Sequence, residues 1–215
     1  MQVSAEIRWF WRDRAPSGLE DWFKDRDVHG CTAGGPETRT DEYLRDPGQT
    51  ELGLKLRGTR PGVEATSVEV KGLVAVTWDG LTVAPFRGPI EIWTKVSTPA
   101  LKLPSTVRVE KERWLRKFDT SGAAVVEVPL GTRSKPVEED RPLPGSGCNV
   151  ELTRLAVAGS VWWTLGFESF GMLPTVENSL RAAATLLATR SPTLEHGLRA
   201  SYPVWLAHLP LDPST

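Results

Sequence analysis

Cysteine and histidine, which most structural metal sites and redox sites use, are scarce in this sequence. There are two cysteines, Cys31 and Cys148, and three histidines among 215 residues. One cysteine pair in a chain of this length is not a disulfide framework, and no C-x-x-C spacing is present. The sequence therefore favours a protein of the reducing cytoplasm, and it gives little support to a histidine-based metal site or a Ser-His-Asp triad.

An excess of charge of one sign and a long apolar run are also missing. The 26 lysines and arginines nearly balance the 27 aspartates and glutamates, and the formal net charge is −1. Bulk electrostatics therefore predict neither a nucleic-acid partner nor a membrane partner. No run of about 18 apolar residues appears, and the N-terminal M-Q-V-S-A-E lacks the pattern of a signal peptide. An anion site in this chain has to come from the local placement of cations.

What the sequence does have is a series of short alternating segments that are typical of β-strands. Between Glu51 and Arg57, three leucines alternate with Gly53, Lys55 and Arg57. Glycine and proline punctuate almost every gap between such segments, and many evenly spaced antiparallel strands predict a closed barrel. The other candidate strands are residues 4–11, 38–44, 67–76, 90–96, 107–115, 123–128, 149–155 and 161–170.

Helical periodicity appears at three places. An apolar stripe predicts a helix over residues 175–190, with Thr175 as its N-cap. Ser17 and Glu20 have the spacing of a capping box and predict a short helix after them. A further short helix is expected around residues 194–206.

These elements predict one α+β domain that spans residues 1–215. Its architecture is an antiparallel closed β-barrel, or tunnel, of about eight strands with helices, including a C-terminal helix. The segment 135–147 is rich in proline, glycine and charge without any period, so we expect it to be a surface loop.

Cationic side chains recur at strand spacing in the first half of the chain, and they cannot all face a dry core. If the sheet closes, they line its bore and attract polyphosphate; otherwise they form a solvated outer face. Val107 and Val109 fall on the same face of their strand as Lys111 and Arg113, so apolar and charged residues do not simply alternate there. A β-bulge, or a strand that starts in an apolar plug and ends in water, would explain this pattern. The candidate cations are Lys55, Arg57, Lys71, Arg87, Lys111 and Arg113.

The charged strands follow one another in an order that resembles a known family. V-R-V-E-K-E-R-W at 107–114 is similar to a V-x-K-x-R-Y strand, and L-K-L-R at 54–57 is similar to an L-R-x-R strand. V-E-V-K-G at 68–72 resembles a T-L-K strand, and R-G-P-I-E-I at 87–92 resembles a strand in which Arg and Glu stand four apart. N-V-E-L-T around Glu151 and W-W-T-L-G-F-E at 162–168 look like E-x-D and E-x-E strands. The initial A-E-I-R-W-F stands in the place of an E-x-E-x-K strand. As an ordered set, these strands resemble the CYTH superfamily, also called the triphosphate tunnel metalloenzymes. The resemblance extends from residue 5 to about residue 207.

The resemblance implies a function and a set of site residues. Members of the family hydrolyse inorganic triphosphate, thiamine triphosphate or RNA 5′-triphosphate ends, or cyclise ATP. The six cations named above would bind the phosphates of a small phosphorylated ligand such as a triphosphate, and one Mg²⁺ or Mn²⁺ would activate water. The metal ligands would be Glu6, Glu91, Glu151 and Glu168, of which Glu6 and Glu168 are the implied catalytic residues.

The departures from the family pattern weaken the implied metal site. Each acidic pair has lost one member, and a lone carboxylate on a strand holds a metal more weakly than two at i and i+2. Two functions therefore stay open: metal-dependent hydrolysis of a phosphoanhydride bond, and non-catalytic binding of a phosphorylated ligand with a degenerate metal site. The changed positions read Glu6, Arg8 and Phe10 for E-x-E-x-K, Glu151 and Thr153 for E-x-D, and Gly166 and Glu168 for E-x-E.

Overall fold

The computed structural model describes residues 1–25, 36–57, 67–99, 106–131, 136 and 144–210. Within these ranges the helices are α1 (Leu19–Lys24), α2 (Leu173–Ala188) and α3 (Tyr202–Ala207). The strands are β1 (Gln2–Arg12), β2 (Glu37–Leu44), β3 (Leu52–Arg57), β4 (Ser67–Leu81), β5 (Gly88–Pro99), β6 (Thr106–Asp119), β7 (Val126–Val128), β8 (Gly147–Val157), β9 (Ser160–Phe170) and β10 (Leu198–Arg199). Most of the predicted loop 135–147 lies outside the described residues.

Eight of these strands close into an antiparallel barrel in the order β1-β5-β4-β3-β2-β6-β8-β9. The barrel closes where β9 pairs with β1, from Glu6 opposite Glu168 to Arg12 opposite Trp162. On its other edge, β1 pairs with β5 up to Glu6 and then with the short β10. The predicted closed β-barrel of about eight strands with helices, one of them C-terminal, is therefore confirmed.

One side of the outer barrel wall is covered by α1 and α2. The outward side chains of β1, β8 and β9 pack against the apolar stripe of α2, in which Val176, Leu180, Ala183 and Leu187 are fully buried. Burial of such a stripe contributes on the order of 2 kcal/mol for each large side chain. Within the described ranges, no helix combines the length and the apolar character needed to cross a membrane.

The predicted helix caps are wrong in both places. The N-cap of α2 is Met172, three residues before the predicted Thr175, and Thr175 Oγ1 donates a hydrogen bond back to the Met172 carbonyl. The N-cap of α1 is Gly18, whose positive φ of 74° suits glycine, and no side chain caps it. Both helices are held by their buried faces rather than by a side-chain cap.

One end of the barrel is closed by an apolar plug, which consists of α3 together with Phe10, Tyr43, Val109, Leu155, Val157, Ala200 and Leu209. Trp205 is fully buried and stacks on Phe10 of β1, with ring centroids 4.8 Å apart and planes 7° from parallel. Val109 belongs to the same cluster, while Lys111 lies further along β6 on the same face. Valines and cations therefore occupy the same face of β6 because this strand starts in the plug and continues into the polar bore.

Candidate functional site

The alternating charges of the strands face the barrel interior. Register partners of adjacent strands lie on the same face of a sheet, and Lys71 is opposite Lys95 while Glu37 is opposite Arg113. With Arg12 and Asp119 at the ends of β1 and β6 set aside, nine cationic and seven anionic side chains of the described residues share this face, so the bore has a formal excess of positive charge. The cations are Arg8, Arg39, Lys55, Arg57, Lys71, Lys95, Lys111, Arg113 and Lys117, and the anions are Glu6, Glu37, Asp41, Glu69, Glu91, Glu151 and Glu168.

Lys71 links two of the predicted catalytic carboxylates. Its Nζ lies 2.6 Å from Glu6 Oε1 and 3.3 Å from Glu168 Oε1. Lys95 Nζ lies 3.3 Å from the same oxygen of Glu168, and Ser4 Oγ donates to Glu6 Oε1 over 2.6 Å. Burial alone would raise the pKa of Glu168, but Lys71 and Lys95 hold that pKa well below its usual range.

Glu151 lies between two guanidinium groups. Arg113 Nη1 is 2.7 Å from Glu151 Oε1, and Arg8 Nη2 is 3.3 Å from Glu151 Oε2. Arg113 also pairs with Glu37 of β2. Although burial opposes ionisation, Arg113 and Arg8 lower the pKa of Glu151 well below its ordinary value, so this carboxylate is charged.

A third group of charges surrounds Glu69 on β4. Its two oxygens lie 2.7 Å from Lys55 Nζ and 2.6 Å from Arg57 Nη2. Burial raises the pKa of Glu69, but Lys55 and Arg57 outweigh it and lower the pKa to about 2. Burial also dominates at Lys55, where it lowers the pKa to about 7 against the attraction of Glu69.

Lys111 belongs to the floor of the bore, next to the plug. Its Nζ donates to the hydroxyl of Tyr43, lies 3.3 Å from Asp41 Oδ2, and sits 4.3 Å from the centroid of the Tyr202 ring. Burial lowers the pKa of Lys111 to about 7, and the charge of Asp41 opposes this shift. Because these groups enclose its ammonium, Lys111 holds the side chains of Tyr43 and Asp41 in place and does not reach a ligand at the mouth of the barrel.

Two of the predicted site residues stand apart from the ion pairs. Arg87 is exposed in the turn before β5, so the structure does not bring it to the other candidate cations. Glu91 faces the bore and accepts a hydrogen bond from Trp93 Nε1 over 2.9 Å. Burial raises the pKa of Glu91, and this hydrogen bond only partly offsets the shift.

Two departures from the family pattern form one structural unit. Arg8 and Gly166 are register partners, and Gly166 is in turn opposite Glu151 on β8. A β-carbon at residue 166 would collide with the guanidinium of Arg8, which passes over this position to reach Glu151. Glycine at position 166 therefore makes room for the side chain of arginine at position 8.

The carboxylates present do not fit a resident divalent ion. Glu6 is the register partner of both Glu91 and Glu168, so these three lie in one row across β5, β1 and β9. However, the ammonium of Lys71 already bridges Glu6 and Glu168, and Glu151 is bound by two arginines. In the described part of the chain, no group of three or more His, Cys, Asp or Glu side chains has the geometry of a metal site.

Several cavities reach the charged interior, including one of about 60 Å³ that is lined by Glu6, Lys55, Glu69 and Lys71. At the mouth opposite the plug, a cavity of about 220 Å³ is lined by Lys95, Lys117, Asn149 and Glu168, among others. Another, of about 190 Å³, reaches Arg8 from the side where β1 leaves β5. All three are smaller than the roughly 300–1,000 Å³ pockets of drug-sized ligands, so they suit a small ligand.

Several charged residues of the bore were not predicted as site residues. Glu37, Arg39 and Asp41 occupy every second position of β2, which is the same signal that identified Lys55 and Arg57 on β3. Glu69 likewise lies on the same face of β4 as Lys71, and Lys95 lies on the same face of β5 as Glu91. Strict alternation of charge would have found all five.

No protein-family model matches this chain, and no curated protein is significantly similar to it in sequence.

Proposed function

We propose that the barrel interior binds a small polyphosphorylated ligand, such as a triphosphate, without a resident divalent metal. The observation that carries this proposal is the convergence of cationic side chains from six strands on one enclosed surface. Phosphate oxygens accept charge-assisted hydrogen bonds from guanidinium and ammonium groups, and arginine binds them in a bidentate manner.

The energetics of buried charge support a ligand-binding role. A buried ion pair seldom adds stability over apolar residues of similar volume, because desolvation offsets the attraction. A barrel that needed only a stable interior would be filled more easily by apolar side chains, as its own plug is. Buried groups with strongly shifted pKa values are typical of functional sites, and the bore contains such groups in Glu69, Lys55 and Glu151.

Ligand binding would proceed by exchange of partners. A polyphosphate that enters at the mouth meets Lys95 first and then Arg113, both of which pair with carboxylates in the free chain. The phosphate oxygens replace those carboxylates as partners of the cations. A phosphate in the bore also favours the charged form of Lys55, whose pKa burial lowers to about 7, and so adds a cation to those that can bind it.

Calorimetric titration with tripolyphosphate in a buffer that contains a chelator tests the proposal. We expect saturable binding to one site per chain, at least about tenfold weaker after Lys95→Met or Arg113→Met, since each removes a charge-assisted contact. Arg87→Met is the matched control, because Arg87 is exposed outside the bore, and it should leave the affinity unchanged. Absence of binding, or equal losses in all three variants, would refute the proposal.

Metal-dependent hydrolysis of a phosphoanhydride bond is the alternative. Glu91, Glu6 and Glu168 lie in one row, but the reaction would require a divalent ion to displace the ammonium of Lys71 from Glu6 and Glu168. Release of phosphate from tripolyphosphate with Mn²⁺, lost in Glu168→Gln, would support hydrolysis. Tight binding in the chelator with no turnover after metal is added would leave the barrel as a binding protein alone.

A further inference from the structure

We propose that the ammonium of Lys71 is a built-in counter-ion for Glu6 and Glu168, and that it prevents these carboxylates from binding a divalent cation. This inference concerns the chain without any ligand, so it does not depend on polyphosphate binding. Removal of the ammonium should turn the same carboxylates into a site for a hard divalent cation such as Mn²⁺.

The position of Lys71 supports this role. Lys71 lies on β4, Glu6 on β1 and Glu168 on β9, so one side chain joins three strands of the barrel. Its Nζ is within 3.3 Å of an oxygen of each carboxylate. A lysine ammonium in contact with two carboxylates forms charge-assisted hydrogen bonds with both and supplies one positive charge between them.

A divalent ion would have to displace this ammonium in order to bind. Mg²⁺ and Mn²⁺ need carboxylate oxygens as direct ligands, at about 2.0–2.1 Å for Mg²⁺. Lys71 is tethered to the barrel wall, so it competes at a high effective concentration. Once displaced, its charge would stay in a poorly solvated bore close to the bound ion and would repel it.

Without Lys71, the carboxylates would lack this neutralising charge. Glu6, Glu91 and Glu168 are neighbours in one row, and their mutual repulsion would favour a bound cation. Lys95 would still contact Glu168 but does not bridge it to Glu6. Lys95 is therefore the matched control, a lysine of the same bore that contacts only one of the two carboxylates.

Titration with Mn²⁺ of the whole chain, followed by calorimetry and by the electron paramagnetic resonance signal of free Mn²⁺, tests the inference. We expect Lys71→Met to bind one Mn²⁺ at least about tenfold more tightly than the wild-type chain. Lys95→Met should raise the affinity clearly less than Lys71→Met does, because Lys95 contacts Glu168 alone. The gain should disappear in the double variant Lys71→Met with Glu6→Gln, which removes one of the freed carboxylates.

Three results would overturn the inference. The first is micromolar binding of Mn²⁺ to the wild-type bore, abolished by Glu6→Gln, and this result does not depend on whether Lys71→Met folds. The second is an equal gain in Lys95→Met, which would make the effect one of net charge alone. The third is no gain in a folded Lys71→Met or Lys71→Gln chain.

Discussion

The guanidinium of Arg8 lies over the α-carbon of Gly166, in the space that a side chain at residue 166 would need. From there it reaches Glu151 on the next strand and packs 5.0 Å from the centroid of the Tyr202 ring. Arg8, Gly166 and Glu151 thus form a unit across three strands, in which the missing side chain of one residue makes room for the long side chain of another.

Gly166→Ala should destabilise the barrel. The added methyl group meets the Arg8 guanidinium, which must move away from Glu151, and overpacking of this kind costs about 1–3 kcal/mol. The measurement is the free energy of unfolding from urea denaturation. Gly72→Ala on β4 is the control, because a β-carbon there meets only Thr94 Oγ1 at an ordinary 3.6 Å.

Arg8→Ala combined with Gly166→Ala should cost less than the sum of the two single changes, because the small side chain at position 8 leaves room for the methyl group. Additive costs would mean that the two residues do not interact as the structure describes.

Glu151→Gln should lower stability and raise the affinity for polyphosphate. The change leaves Arg8 and Arg113 without their shared carboxylate partner, and breaking a buried ion pair costs about 3–5 kcal/mol. The same two guanidinium groups become available to phosphate oxygens. Urea denaturation and calorimetric titration with tripolyphosphate measure the two effects.

Glu127→Gln provides the comparison for this trade-off. Glu127 forms a buried ion pair with Arg116, in which Arg116 Nε lies 2.7 Å from Glu127 Oε1. Arg116 is on the face of β6 that points away from the bore. Stability should fall here as well, while the affinity for tripolyphosphate stays constant. A rise in affinity in both variants, or in neither, would contradict ligand binding by the interior arginines.

Stability should rise with pH between about pH 7 and about pH 8.5. Lys55 and Lys111 have pKa values of about 7 in the folded chain, lowered by burial from 10.5. The unfolded chain therefore binds more protons in this range, and each lysine adds up to about 1 kcal/mol per pH unit. Above this window Cys148, whose pKa burial raises, opposes the trend.

Urea denaturation across this pH range measures the slope. Lys55→Met should reduce it, because one of the lysines whose pKa burial lowers is removed while Lys111 and Lys117 remain. A flat profile in the wild-type chain would show that both ammonium groups stay charged throughout the window.

Binding of polyphosphate near pH 8 should be accompanied by proton uptake. Lys55 is mostly neutral at this pH, and a nearby phosphate favours its charged form. Calorimetric titration in two buffers with different ionisation enthalpies counts the protons, and we expect an uptake of about one per ligand. Lys55→Met should reduce the uptake, whereas proton release would be the opposite of what this site requires.

The barrel and its inward charges were largely predictable from the alternation along each strand. Lys55 and Arg57 oppose three leucines on β3, and this pattern predicted the face that lines the bore. On β2 the same alternation is present, but its side chains are mostly polar and it lacks the leucine face of β3. A strand that faces a charged bore does not need the apolar inner face by which strands are usually identified.

The partners of the charges were not predictable. Lys71 and Glu6 are 65 residues apart and lie on strands separated by β5, so their contact depends on the strand order of the closed barrel. The resemblance to a metal-binding family also assigned Glu6 and Glu168 to a metal, whereas the structure bridges them with a lysine. Sequence spacing fixes which face a side chain occupies, but it does not fix which opposite charge it meets.

A crystal structure of the chain with tripolyphosphate, at a concentration that saturates the calorimetric signal and in metal-free buffer, would place the ligand. We expect density for the phosphate chain inside the barrel, within hydrogen-bonding distance of Lys95 and Arg113 and with Glu151 or Glu168 turned away from its cation. An interior that keeps its own ion pairs, with phosphate bound only on the outer wall, would contradict polyphosphate binding by the bore.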